Sequence, residues 1–223
     1  MENVDKNNQE HTKYYNSDGI EVPSCTTVIK LLNKPSLVGW ANYMGFRHKN
    51  VNDILKEKAD YGTYYHNLAE QYFMGIVDKS DPCNDNISME EYKIMLNRLD
   101  VLNEQFKSMG IEIINMEMQM HGSRFGGTLD LLTYCKRLSK VILFDFKTSK
   151  SVYDSHLIQL GGYCQLVKEI YDIDITDVGI ILLSQSPTSK NFINLVSREN
   201  NQVNEEIFTK LLDIYYLKES LNK

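Results

Sequence analysis

Apolar residues along the chain keep two different rhythms, and the switch between them divides the sequence. Over residues 88–109 they recur every three or four positions, at Tyr92, Met95, Leu96, Leu99, Leu102 and Phe106. That spacing puts them on one side of an α-helix, and Gly110 follows as its C-cap. Beyond Gly110 the period shortens. Apolar and polar residues alternate from Ile114 to Met120, and Lys140 to Phe146 read K-V-I-L-F-D-F, a β-branched and aromatic run too short for a helix. Three consecutive strands are predicted, over 111–120, 127–134 and 140–147, with a short connection at 136–139 that suits an antiparallel hairpin.

The other elements follow from the same signals. Residues 14–19 read as a turn before a short strand, and Ser24 is placed to cap a helix that runs to Leu32 before Pro35 breaks it. A second helix over 37–48 carries the only tryptophan, Trp40, which is expected between helices. The next one has Tyr65, Leu68, Ala69, Tyr72 and Phe73 at helical spacing, contains His66 and ends near Gly75, and residues 78–87 read as a loop. A helix over 155–171 is expected to cross to a fourth strand at 178–184, with a fifth at 192–196. Residues 204–221 form an amphipathic helix burying Phe208, Leu211, Leu212, Tyr215 and Tyr216. The order ααα-βββ-α-β-β-α describes an α/β fold, a mixed β-sheet flanked by helices with an N-terminal helical region. The polar stretch 1–12 is expected to be a disordered tail, and 13–223 a single domain, helical over 13–109 with the sheet and last helix over 110–223.

Composition narrows the class. The chain has 223 residues, 42% hydrophobic and 24% charged, with no repeat, no apolar run near the length of a membrane span and no signal-peptide core at its start. An intracellular, cytoplasmic protein without a membrane partner is expected. Cysteines 25, 83, 135 and 164 are scattered, which argues against disulfides and zinc. A net charge of −6 sits oddly with a nucleic-acid partner, but its distribution is uneven. Residues 24–58 hold six cations (Lys30, Lys34, Arg47, Lys49, Lys56 and Lys58) against two acids, and residues 136–150 hold five against Asp145 alone. Each cluster is either a solvated face or a track for phosphates.

Candidate chemistry lies at the strand ends. Alternate residues share a face of a strand, so Asp145 and Lys147 point one way and Phe146 the other, into the core. A carboxylate and an ammonium side by side there suit a divalent cation: Asp145 offers a hard oxygen, Lys147 can hold an attacking water or neutralise a phosphate, and Asp130 in Gly126-Gly127-Thr128-Leu129-Asp130 supplies a second carboxylate. Gln159 and Tyr163 stand one helical turn apart. Glu117 reads equally as a metal or supporting ligand and as an outward strand residue paired with a lysine. His66 alone reads as a hydrogen-bonded boundary residue, and His121 as a turn residue.

Together, Asp130, Asp145-x-Lys147-Thr148-Ser149 and Gln159-x-x-x-Tyr163, with His66 upstream in Gly62-Thr63-Tyr64-Tyr65-His66, resemble the RecB-type branch of the PD-(D/E)XK nuclease superfamily, notably its phage-type and mitochondrial genome-maintenance exonucleases. The resemblance covers roughly residues 60–185, and more loosely the Val22-Pro23-Ser24-Cys25-Thr26-Thr27 start. It implies a restriction-endonuclease-like core and hydrolysis of DNA phosphodiesters with one or two magnesium or manganese ions. Asp130, Asp145, the Phe146 carbonyl, His66 and, by its place before the Gly-x-x-Asp hairpin, Glu117 would hold metal. Lys147 would orient the nucleophile, and Gln159 and Tyr163 would lie beside the metals. Thr148, Ser149 and Lys150 would meet phosphate, as would Lys30, Lys34, Arg47 and Lys49 on the N-terminal helices. Some relatives hold an iron–sulfur cluster with three cysteines near the C-terminus; none follows Cys164, so no cluster is expected. An exonuclease acting on single strands or duplex ends, in recombination, repair or phage DNA metabolism, is the leading expectation. A structure-specific endonuclease, a binding or adaptor protein that lost catalysis, and an enzyme of other phosphate esters are the alternatives.

Overall fold

The computed structural model describes residues 12–32, 35–175, 177–183 and 193–221. Residues 1–11 of the expected tail, Lys34, and residues 184–192, which include the expected end of the fourth strand and start of the fifth, lie outside the described residues. A two-stranded ribbon, β1 (Tyr14–Tyr15) and β2 (Glu21–Val22), is followed by α1 (Cys25–Ile29), α2 (Pro35–Phe46), α3 (Val51–Met74) and α4 (Met89–Met109). Then come β3 (Ile111–His121), β4 (Gly126–Cys135), β5 (Lys140–Lys147), α5 (Asp154–Tyr171), β6 (Asp177–Leu182), β7 (Ile193–Ser197) and α6 (Arg198–Ser220).

The five strands β3-β4-β5-β6-β7 form one mixed sheet in sequence order. All neighbours are antiparallel except β5 and β6, which run parallel because α5 returns the chain across the sheet. One face packs Leu132 and Leu143 against α1, α5 and α6 through Val28, Leu160, Tyr163, Leu166 and Phe208. The other packs Leu131, Phe144 and Phe146 against α3 and α4 through Tyr65, Leu68, Met95, Leu99 and Phe106. Covered on both faces, β5 reads as a continuous apolar run rather than an alternation.

Local signals set most boundaries. The Ser24 hydroxyl accepts from Thr27 N, capping α1, Ser88 and Glu91 form a reciprocal capping box on α4, and Gly110 closes that helix in the left-handed conformation at φ 71°. Several boundaries differ from expectation, α1 ending at Ile29 rather than Leu32 among them, and three have a physical reason in view. Pro35 opens α2 instead of only ending what precedes it, because its fixed φ and missing N–H suit a first helical position. α6 begins at Arg198, six residues before the expected start, because buried Asn201 reaches Cys164 Sγ (3.6 Å) and Glu205 Oε1 (3.4 Å) and so belongs to the packed helix. His121 is the last residue of β3, its Nδ1 accepting from Tyr15 N at 3.2 Å, and not a turn residue. Trp40 is half-buried on α2, with Lys58 Nζ of α3 lying 5.3 Å from its ring centre.

Candidate metal centre

The chemistry gathers where β4 and β5 part. Their ladder runs from Cys135↔Lys140 to Leu131↔Phe144 and stops, leaving Asp130 and Asp145 just beyond the last rung. Leu183 N donates to Lys147 O at 2.7 Å, so the Lys147 peptide faces β6 and, by strand alternation, the Phe146 peptide faces the β4 side. Asp130 occupies that opening, and its Oδ2 accepts from the Phe146 N–H at 2.6 Å. The Phe146 carbonyl leaves the strand on the same side.

The neighbouring strand is irregular at the same level. β3 and β4 pair Met116↔Leu131 and Met118↔Leu129, but Glu117 and Asp130 between them form no rung. Glu117 has φ 45°, a region that is costly for a residue with a Cβ. Packing records the roll. Met116 and Leu131 join the α3–α4 cluster, whereas Met118 and Leu129, two residues away, join the α5–α6 cluster. On a regular strand those pairs would share a face. The break lets the Glu117 and Asp130 carboxylates converge on one imidazole.

That imidazole is His66 of α3. Its Nδ1 lies 3.5 Å from Asp130 Oδ1 and 3.8 Å from Glu117 Oε1. One donor atom from each of the three residues falls within 4.8 Å of the others. The ring meets Phe146 edge-on at 5.8 Å. One turn earlier, Thr148 Oγ1 stands 3.5 Å from where a Gly62 side chain would begin, so α3 runs close to the end of β5.

Charge is concentrated here without much water. Burial alone would lower the His66 pKa, but Asp130, Glu117 and Asp145 override it and push it up to about 10. Burial would raise Asp130, and is outweighed by His66, Lys147 and the Phe146 N–H, which hold it below the usual range. Asp145 goes the other way: burial, with repulsion from Asp130, exceeds the help of Lys147 and lifts it to about 6. Lys147 is itself raised, because Asp145 and Asp130 overcome the burial that would lower it. In this form a protonated His66 and Lys147 are the counter-charges of the carboxylates.

The triad fits a divalent cation. Glu117 Oε1 is buried and has no hydrogen-bond donor among the described residues. Ligand atoms around a cation at about 2.1 Å stand roughly 3–4.2 Å apart, and both the 3.5 and 3.8 Å separations fall in that span. Two carboxylates with one imidazole suit manganese as well as magnesium. Asp145 does not join the triad; it is 1% exposed and its Oδ2 turns to Lys147 Nζ at 2.6 Å.

Other expected residues divide into near and far. Gln159 Nε2 donates to Tyr163 Oη at 2.9 Å, on the face of α5 that lies under Gly127, where a methyl group would meet the Tyr163 ring at 2.7 Å. Thr148 and Ser149 follow β5 directly, Ser149 Oγ donating to Ser151 O at 2.8 Å, and Lys150 is exposed. Lys30 is exposed at the end of α1. Arg47, lying 4.9 Å over the Tyr43 ring, and Lys49 are exposed before the start of α3 at Val51. His66 stands about 22 Å along α3 from that start, so those two cations are remote from the triad. The second basic cluster of the sequence is divided: Lys136 pairs with Glu112 at 2.5 Å and Lys140 with Asp177 at 2.9 Å, at the hairpin end of β5 and a strand's length from Lys147.

Sequence reasoning missed Cys25. It is fully buried on α1, its Sγ donates to Gln159 O at 3.6 Å, and burial together with the Asp145 carboxylate pushes its thiol well up. It packs as a buried thiol under the Gln159 end of α5. Its signal was its place directly after the Ser24 cap. No model of a known protein family matches the chain, and no curated protein matches it. No helix among the described residues is long and apolar enough to cross a membrane.

Proposed function

We propose that the protein is a metal-dependent deoxyribonuclease with a restriction-endonuclease-like core, an exonuclease acting on single strands or DNA ends. The observation that carries this reading is the convergence of His66, Glu117 and Asp130 beside the Asp145–Lys147 pair at the end of β5, where that strand parts from β4. A cation site with an adjacent, protonated lysine is what attack on a phosphodiester requires: two negative oxygens must be brought together and the charge of the transition state neutralised. Asp130, Glu117 and His66 hold magnesium or manganese, with the Phe146 carbonyl on the same side of β5. The ion supplies Lewis acidity toward the phosphate.

The remaining roles belong to the chain. Asp145 fixes the Lys147 ammonium, which orients the attacking water or meets charge on the phosphate. Gln159 and Tyr163 line the α5 side, and Thr148, Ser149 and Lys150 offer donors to the backbone of the strand. Lys30, Lys34, Arg47 and Lys49 serve a longer path for phosphates. In the cell such activity belongs to recombination, repair or phage DNA metabolism.

Digestion of end-labelled single-stranded, duplex and circular DNA with magnesium or manganese tests the reading. Progressive shortening of linear DNA from an end is expected, while covalently closed circles survive. Rapid cutting of circles moves the reading to a structure-specific endonuclease. Tight DNA binding without any cleavage in either metal moves it to a binding or adaptor protein.

A further inference from the structure

α6 carries two apolar faces. Phe208 and Leu212 are buried against α5 and the sheet. On the side turned away from them, Val203, Ile207, Ile214, Leu217 and, at the C-cap that continues the helical turn, Leu221 are 62%, 37%, 47%, 66% and 85% exposed. With Lys210, also exposed, these six positions are spaced 4, 3, 4, 3 and 4 residues apart. A core-facing stripe is broad and follows the 3.6 period, whereas alternating steps of three and four make the narrow seam of a two-stranded coiled coil. At these exposures the five side chains leave roughly 500 Å² of apolar surface per chain, which with flanking stems approaches the ~800 Å² per partner of a standard interface.

We infer that this stripe is the contact between two copies of the chain, packed as an antiparallel pair of α6 helices. A heptad seam is complementary to itself under a two-fold axis. Lys210 decides the direction. In a parallel, in-register pair the two Lys210 ammonium groups would face each other within the seam, a like-charge contact in a desolvated place. In the antiparallel pair Val203 packs on Leu221 of the other copy, Ile207 on Leu217, and Lys210 on Ile214. The Asp213 carboxylate of the other copy then borders the seam about one residue from the Lys210 level. Asp213 is 47% exposed in the chain, held from behind by Arg124 at 2.8 Å, and free on its outer side to receive the ammonium. The seam is under three heptads long, so the dimer is weak, with a dissociation constant in the micromolar range.

Sedimentation of the full chain tests this. Wild type is expected to pass from monomer to dimer between about 1 and 100 µM. Ile214→Glu combined with Leu217→Ser is expected to remain monomeric with an unchanged melting temperature, because both side chains are solvent-exposed in the monomer. Lys210→Ile should tighten association by about tenfold, since it removes the one polar residue from the seam. For direction, Cys83→Ser removes the one exposed thiol, the other three cysteines being buried. In that background a mixture of Val203→Cys and Leu221→Cys chains should form the mixed disulfide. A wild type that stays monomeric at ~200 µM overturns the proposal, as does a dimer that survives the double substitution. Preferential 203–203 and 221–221 links overturn the antiparallel arrangement.

Discussion

Asp130 Oδ2 and the Phe146 N–H meet at 2.6 Å across the gap where β4 and β5 cease to pair. One oxygen of this carboxylate replaces a missing sheet hydrogen bond, and the other faces His66 at 3.5 Å. Asp130→Asn keeps an oxygen for Phe146 while removing the charge. The variant is expected to fold with a lower melting temperature, because His66 loses its main counter-charge, to lack the rise in melting temperature expected of wild type in millimolar manganese, and to retain less than about 1% of cleavage, a loss of roughly 3 kcal/mol or more. Normal cleavage by the folded variant would remove Asp130 from the metal site.

Lys147 is the partner that lets Asp145 be buried. Replacing it with Met should abolish cleavage and leave only His66 to offset the burial of Asp145 and its repulsion by Asp130. The sign matters here. A carboxyl raised in the fold, as Asp145 is to about 6 from its ordinary 3.8, contributes stability below pH 4 that is lost as pH climbs through about 6. In Lys147→Met that loss should extend to higher pH, visible as a melting temperature that keeps falling from pH 6 to 8 without metal. Adding Asp145→Asn should restore much of it, since the double variant has no unpaired buried charge. Equal pH profiles for wild type and Lys147→Met would argue against the coupling.

His66 must give up a proton to bind metal. Without metal its pKa is pushed up to about 10, so the stability it contributes is fully present below pH 6.5 and lost as pH rises through 10. Manganese should therefore bind more tightly as pH rises from 6 to 9 and release close to one proton, measured by calorimetry in buffers of different ionisation enthalpy. His66→Ala should weaken metal affinity more than it lowers the melting temperature. A variant that melts several degrees lower yet binds manganese normally would make His66 a packing residue only.

Two glycines separate fold from site. A methyl on Gly127 would press on Tyr163 at 2.7 Å, and one on Gly161 on the Asn204–Glu205 backbone, also at 2.7 Å. Each alanine substitution should cost about 1–3 kcal/mol in chemical denaturation. Gly161→Ala, at the α5–α6 contact, should leave cleavage per folded molecule intact. Gly127→Ala should lower it as well, because Tyr163 and its hydrogen bond to Gln159 are displaced. Unimpaired cleavage by Gly127→Ala would remove Tyr163 from the site.

Phosphate contacts far from the metal should appear in binding and not in metal affinity. Replacing Arg47 and Lys49 together with Ala is expected to raise KM for DNA several-fold, flatten its salt dependence and leave kcat and manganese binding unchanged. An unaltered salt slope would mean that α2 and its following turn do not touch the substrate.

What the sequence disclosed depended on how local its cause was. The Asp145–Lys147 pairing could be read from K-V-I-L-F-D-F-K because strand alternation needs no knowledge of neighbours, and Gln159–Tyr163 likewise from helical spacing. The early start of α6 was hidden: 198–203 looks like a polar loop, and only contact with α5 makes Asn201 a helix residue. Glu117 was a candidate by its place before the Gly-x-x-Asp hairpin, but the geometry that brings it to His66 was hidden more deeply. Its approach to His66 depends on a positive φ and a roll shared by two strands, a tertiary event with no glycine or asparagine to announce it. The second basic cluster is contiguous in sequence and divided in space, since nearness along the chain at β5 still leaves Lys136 and Lys140 a strand's length from Lys147.

The unfinished ladder between β4 and β5 also bears on how such a centre is lost. One more rung, joining Asp130 to Asp145 as ordinary paired residues, would close the sheet over the opening that the Asp130 carboxylate now occupies. The missing rung lies level with the irregularity at Glu117, on the other side of β4. On the proposed function, a chain with that rung closed would keep every residue of the motif and lose the opening between them, so the open seam is as much a part of the candidate site as the residues themselves.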